Sequence, residues 1–487
     1  MYKSQPHSQI AFEDFNQPMG LKMNPKNRWI EKAEWIPWAE LEKGYAKNFR
    51  NQKGNVAKPL RMALGALLIQ IEYGYSDEET VLQIQENPYL QFFIGLPGYQ
   101  EEKPFDSSTM VYFRKRLDAV TLTEINEKIT EYALAKDKEN QDNDNDTDDD
   151  TDSNDSGNAG TLILDATCAP QKIKYPTDTE LLNEARTHAE KMVDDICETN
   201  GFSKPRMYRK KARKYYLSIV RRKRKSAKWL RPKIRKLLGY VRRDIDYIKG
   251  YLEHGIKLNE KQQKTFEVIC RIYDQQKEMF DKKTHSVKDR IVSFSQPWLR
   301  PIVRGKAKAK VEFGAKLDLS IDSNGMARIE KTSFDAYNEA SVLVQAVRRF
   351  YDRNGRYPER VLADKIYRNR ENRSYCKIRG IRLTGPSLGR PKKDQTRDKE
   401  IEYRDNADRV EVERGFSLLK RCFGMENIRT KLRETTLTTI ALSVIAMNVD
   451  NINRNRLRSF FGQLKNRKKS CLVLLNFSPF QISPIVQ

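Results

Sequence analysis

The chain has 487 residues, room for about two to four domains, and carries 91 Lys and Arg against 66 Asp and Glu, a net charge of +25. So basic a balance points to a phosphate-rich partner. Six scattered cysteines with no C-x-x-C pair, and only four histidines, argue against a disulfide framework and a zinc site and suit a reducing, intracellular setting. The first residues lack the apolar stretch of a signal peptide, and no apolar run approaches the ~18 residues of a membrane span, so no membrane partner is expected.

Residues 28–135 read as helices. KPLRMALGALLIQIEYG is a long apolar helix, and SDEETVLQIQENPYLQFFIGL opens on Ser76 with Glu79 three residues on, a capping-box pattern. In DSSTMVYFRKRLD, Ser107 or Ser108 can cap a helix whose Phe113 and Leu117 point inward, leaving Arg114, Lys115 and Arg116 on the other faces. This spacing predicts either a helix-turn-helix with residues 108–117 as recognition helix, Arg114 and Arg116 touching DNA, or a helical bundle with a basic surface. The block 1–135 is read as an N-terminal all-α DNA-binding domain. Residues 136–158 hold a run of ten carboxylates against two lysines and no core-forming residues, and are expected to be a disordered tether.

GTLILDATCAP, residues 160–170, predicts a short buried strand over 161–164 that ends on Asp165, a residue suited to a cap or turn but also to a metal site. Residues 178–292 form a second helical block. Within it, 204–243 interleave Lys and Arg with Tyr215, Tyr216, Trp229 and Tyr240 and almost lack acids, the pattern of a phosphate-binding face rather than a salt-bridged one. Arg221, Arg222, Lys223 and Arg224 are its densest cations. From 293 on, KVEFGAKLDLSID and MARIEKTSF read as strands joined at Ser323-Asn324-Gly325, a hairpin signal. A helix over 336–353 follows, then RVLAD, a second apolar strand ending on an acid, Asp364; then the strand GIRLTGP, the basic loop LGRPKKDQTRDKE and a long helix around ADRVEVERGFSLLKRCFGM. In that helix Val412, Phe416, Leu419 and Phe423 make the buried stripe. Glu413 borders the stripe with Arg409 and Lys420 on its side, while Glu411 lies about 200° around the axis.

Two strand-end acids and one helix acid make a chemical unit. Attack on a phosphodiester by water or a 3′-hydroxyl is promoted by two divalent ions about 3.5–4 Å apart, and hard Mg²⁺ or Mn²⁺ takes carboxylate and phosphate oxygens without His or Cys. Flanking cations would clamp the phosphates.

The segments DATCAPQKIKYPTDTELLNEAR, DRIVSFSQPWLRPIVRGK, ADKIYRNRENRSY, LTGPSLGRP and RVEVERGFSLLKR, within residues 57–450, resemble the DDE transposases of bacterial insertion sequences, in the group related to the IS-four and IS-five types. The resemblance implies an α/β RNase H-like catalytic core in which Asp165, Asp364 and Glu413 are the catalytic, metal-binding acids for two Mg²⁺ or Mn²⁺ ions. Arg409, Glu413 and Lys420 fit the signature Tyr-x2-Arg-x3-Glu-x6-Lys, whose first position holds Asn406. The implied organisation is an N-terminal domain (1–135), an acidic linker (136–158), a core split into 159–177 and 293–450 by the large helical insertion 178–292, and a tail (451–487). The implied partner is double-stranded DNA, the element's terminal inverted repeats and its target, bound by a homodimer in a bacterial, nucleoid-associated cytoplasmic setting. Two other readings share the residues: an RNase H-like nuclease that cuts without joining, and a catalytically inactive DNA-binding relic.

Overall fold

The computed structural model describes residues 10–47, 49, 56–142, 157–303, 311–385 and 399–475. Most of the acidic run (143–156), most of the basic loop (386–398) and the tail after 475 lie outside the described residues.

Among the described residues, seven helices come first: α1 (Arg28–Glu34), α2 (Trp38–Ala46), α3 (Leu60–Tyr73), α4 (Asp77–Glu86), α5 (Pro88–Phe93), α6 (Thr109–Arg116) and α7 (Ala119–Asp142). Ser76 caps α4 as expected, its hydroxyl accepting the Glu79 N–H at 3.1 Å. At α6 the expected serine cap does not form: Ser108 makes no side-chain cap bond, and the Asp106 carboxylate takes the Ser108 N–H at 2.8 Å. A carboxylate two residues upstream supplies the same acceptor with a favourable charge for the helix start. α7 runs to Asp142, so the start of the acidic segment is helical rather than unstructured.

The sheet begins with β1 (Thr161–Pro170). Then come α8 (Asp178–Asn200), α9 (Arg209–Val220), α10 (Ala227–Glu253) and α11 (Glu260–Lys282), which bury their own core of Leu182, Val193, Leu237, Val241, Ile248 and Ile269. After this block the chain returns to the sheet through β2 (Arg300–Val303), β3 (Val311–Asp322) and β4 (Ala327–Ser333), the last two joined at Gly325, which takes the left-handed φ of +78° the turn requires. α12 (Leu343–Asn354), β5 (Arg360–Ala363), α13 (Arg370–Ile378), β6 (Arg382–Leu383), α14 (Lys399–Arg421) and α15 (Arg433–Leu475) complete the order.

β1 is central: antiparallel to β3 on one side and parallel to β5 on the other, with β6 parallel to β5 at that edge. Along its far side β3 carries first β2 and then β4. Leu162 and Leu164 pack on one face with Leu343, Val347, Phe350 and Tyr367, whereas Ile163 and Leu362 face α14 through Val412 and Phe416. The N-terminal helices are not set apart from this body. Trp29, Trp38, Leu64 and Phe93 share one continuous core with Leu317, Leu319, Leu419, Ile445 and Met447. The buried Lys32 ammonium sits between Glu72 (2.6 Å) and Asp450 (3.4 Å) of α15. Asn448 of α15 donates to Asn126 of α7 and to the Ala327 carbonyl of β4, each at 2.8 Å. α15 therefore crosses residue 450, where the sequence suggested a boundary, without a break.

Candidate active site

β1 does not end on Asp165; it continues five residues to Pro170, paired to β3 throughout. The neighbour is what stops. β5 pairs with β1 through Leu164↔Ala363 and ends there, so the next rung sets Asp165 beside Asp364. Parallel strands in register send aligned side chains to the same face, and the alternation after Ile163 and Leu362 sends both acids toward α14. The missing β5 residues leave Asp165 half-buried in a strand whose other residues are nearly all covered.

Asp364 begins a 3₁₀ turn (Lys365–Tyr367), its Oδ1 accepting the Lys365 N–H at 2.7 Å, and its side chain is 55% exposed. The Val412–Phe416–Leu419–Phe423 stripe of α14 is buried as expected, and Glu413 beside it is 59% exposed. Arg409 joins the two exposed acids, with Nη1 3.5 Å from Asp364 Oδ1 and Nη2 3.7 Å from Glu413 Oε1. Glu411 points elsewhere, pairing with Arg414 at 3.4 Å. Burial, first, pushes the Asp165 carboxyl up to about 6; the Ala166 N–H opposes it, the Asp364 charge adds to it, the Arg409 guanidinium opposes it, and Glu339 adds again.

The donor set suits a hard divalent cation: oxygen ligands only, on one face, with Asp165 resisting ionisation partly through a neighbouring carboxylate that a cation would screen. Arg409 supplies positive charge there. Among the described residues no three acidic, His or Cys side chains close on one point, so Glu413, held by Arg409, does not complete a tight cluster with the two aspartates.

Two clamps escaped the sequence. Asp405, only 5% exposed, is gripped by Arg360 of β5 (Nη1 to Oδ1, 2.9 Å) and by Arg382 of β6 (Nη2 to Oδ1, 3.0 Å), and Arg360 also reaches Asp408 at 2.6 Å. These pairs pin the start of α14 to the strands next to Asp364. A signal existed: Asp405, Val412 and Leu419 recur every seven residues, which puts Asp405 on the core-facing stripe. The second clamp is Asp318 on β3, fully buried and bonded by the hydroxyls of Tyr337 and Tyr367.

The remaining expected residues fall in different settings. Arg114 is 14% exposed and its guanidinium fork is engaged by Asp77 (2.9 and 2.5 Å) and Gln70 (3.0 Å), so it holds α6 to α3 and α4 instead of facing outward. Arg116 is half-buried, with its guanidinium 5.3 Å over the Phe49 ring. On α6, Val111, Tyr112 and Lys115 are exposed. Lys420 lines a groove of about 870 Å³ between α14 and the N-terminal helices, together with Asp77, Arg114, Glu426 and Arg429. Arg221, Arg222, Lys223 and Arg224 are all exposed in the turn between α9 and α10, with Arg222 4.5 Å over Trp229; Lys233 and Lys236 lie over Tyr215. No helix among the described residues is long and apolar enough to cross a membrane.

Residues 361–450 match a family model described as a transposase DDE domain, and residues 20–116 match a transposase domain, DUF772. An uncharacterized protein of Rhizobium meliloti, ORF8 in the nfe locus, is 30% identical over 171 residues, covering 35% of this chain and 75% of that protein. No solved structure matches the chain. The two models span the segment from β5 into α15, where Asp364, Arg409 and Glu413 lie, and the N-terminal helices that share its core, so the chain is similar to DDE transposases in both of these segments.

Proposed function

We propose that the protein binds the terminal inverted repeats of an insertion sequence of the IS-four/IS-five-like group, cleaves the DNA there and joins the ends to a target, with Asp165, Asp364 and Glu413 as the catalytic acids. The observation that carries this reading is the adjacency of Asp165 and Asp364, each the residue after the last paired rung Leu164↔Ala363, under the α14 face that bears Arg409 and Glu413. The strand order, a central strand with an antiparallel hairpin on one side and short parallel strands on the other, supports an RNase H-like core. Two Mg²⁺ or Mn²⁺ ions held by the three acids would activate the attacking water or 3′-hydroxyl and neutralise charge on the leaving oxygen.

The chain's own groups do the rest. Arg409, lightly held at 3.5 and 3.7 Å, exchanges carboxylates for a DNA phosphate without leaving a buried charge behind. Lys420, farther along the same side of α14, continues the phosphate track into the groove beside α4. The Arg360–Asp405–Arg382 clamp keeps α14 in register with Asp364 while DNA passes over it. The exposed basic turn 221–224 supplies sequence-independent phosphate contacts, the N-terminal helices contact the ends, and a second protomer completes the complex.

The test is cleavage and strand transfer on duplexes carrying the element's own ends, with Mg²⁺ and with excess chelator. Asp364→Asn and Glu413→Gln should abolish both steps and keep end binding, and Glu411→Gln should retain them. A dead Glu411→Gln beside an active Glu413→Gln refutes the assignment of the third acid. Nicking with no joined product would make the protein a nuclease, and no cleavage by the parent chain a DNA-binding relic.

A further inference from the structure

Asp318 is a carboxylate that the three-acid reading leaves unused. It lies on β3 opposite Ala166, the residue that follows Asp165 and points to the other face of the sheet. It is 0% exposed, and a buried carboxylate needs strong donors to be retained there. Its two oxygens take one phenol each, Tyr367 on Oδ1 and Tyr337 on Oδ2. Tyr367 closes the 3₁₀ turn that Asp364 opens, and its N–H returns to the Asp364 carbonyl at 3.0 Å. Its own carbonyl accepts from Asn372 Nδ2 at 2.7 Å, and that nitrogen also bonds the Ala340 carbonyl at 2.8 Å. Tyr337 is fixed from below: Lys316 of β3 donates to its carbonyl at 2.9 Å and pairs with Glu339 at 2.7 Å.

Asp364 stands where β5 has run out of pairing, so no strand hydrogen bond sets its distance from Asp165. Among the described residues, the phenol of Tyr367 on Asp318 hydrogen-bonds its turn to the β1–β3 pair beneath the acids, while the ring packs with Leu162 and Leu164 of β1. We propose that Asp318 and Tyr367 are positioning residues that hold the Asp364 turn at the separation from Asp165 required to share a divalent cation. The inference rests on the reading of Asp165 and Asp364 as metal ligands; neither positioning residue touches the metal. Partners that orient metal ligands from behind are commonly worth ten- to a hundredfold in metal affinity.

The experiment uses the full chain and Mn²⁺ as probe, its binding followed by the loss of the free-ion signal in electron paramagnetic resonance, beside Mn²⁺-dependent nicking of an end duplex. Tyr367→Phe removes one oxygen and keeps the ring in its packed site, and should weaken Mn²⁺ binding about tenfold. Its half-saturating metal for nicking should rise alike, while saturating Mn²⁺ restores most of the rate, which it cannot do for Asp364→Asn. Asp318→Asn, with a weaker acceptor for both phenols, should move in the same direction, and it decides the matter alone if Tyr367→Phe fails to fold. A lowered Tm with Mn²⁺ affinity and metal requirement within twofold of the parent overturns the proposal, because a merely structural bond behaves so. Asp165→Asn and Asp364→Asn, measured together, should lose Mn²⁺ binding. If they bind like the parent, the metal-site reading itself fails, separately from the two positioning residues.

Discussion

Replacing Asp165 by Asn removes a charge that the fold disfavours, and the structure gives the size of the effect. The carboxyl rises from an ordinary 3.8 to about 6, first through burial, with Asp364 adding to it. Two units of pKa correspond to about 3 kcal/mol between the protonation states. The sign follows from linkage: an acid whose folded pKa lies above its unfolded value binds more protons in the native state, so stability falls as pH rises from about 4 to about 6 and then levels. Asp165→Asn, with no carboxylate to ionise, escapes that loss. In chelator it should match the parent near pH 4 and exceed it by about 2–3 kcal/mol above pH 6.5, read as a Tm difference that opens across this interval. The gain should shrink in an Asp364→Asn background, where one contributor is gone, and should narrow when Mg²⁺ is added. A Tm difference that stays flat from pH 4 to 8, or an Asp165→Asn protein less stable than the parent at pH 8, would refute the reasoning.

Arg114→Ala should cost about 2 kcal/mol of stability, since it strips the fork from a partly buried Asp77, while the ratio of binding to the element's ends and to random duplex stays unchanged; loss of that ratio at full stability would return Arg114 to a base-reading role. Changing Arg221, Arg222, Lys223 and Arg224 together to Ala should flatten the dependence of log affinity on log salt, by about 0.9 for each phosphate no longer neutralised, for specific and unrelated duplexes alike. An unchanged slope would make the turn a solvated surface.

Much of this site is legible from local pattern. The strand RVLA before Asp364 and the heptad stripe of α14 are set by period alone, and the structure keeps both. The hairpin at Gly325 is read from its turn residues and is also kept. Asp165 is different. Its neighbours predict a strand end, yet the strand continues because β3 supplies partners as far as Pro170, and only the length of β5 exposes the acid. Sequence around 160–170 carries no information about β5. The same holds for Arg114: a basic residue on an amphipathic helix reads as outward until Asp77, 37 positions away, is folded against it. GIRLTGP shrinks to the two-residue β6 because only Arg382 and Leu383 find partners on β5. Pairings at long separation, by strand ladder or by buried ion pair, are what one sequence leaves out.

Gly314 touches both ends of the helical block. It pairs with Pro170, where β1 stops, and with Arg300, where β2 starts, and a side chain there would fall 2.0 Å from the Ala169 carbonyl. The chain thus departs from one rung and comes back to it on the opposite flank of a single strand, about two strand spacings or 10 Å away. In between it builds a bundle with a core of its own. The entropy of closing such an excursion grows only with the logarithm of its length, about 0.6 kcal/mol per doubling. The excursion from Pro170 to Arg300 runs over residues 171–299, and once it is this long a further doubling adds only that much, so the block can change in length or charge at this doorway without redrawing the strands.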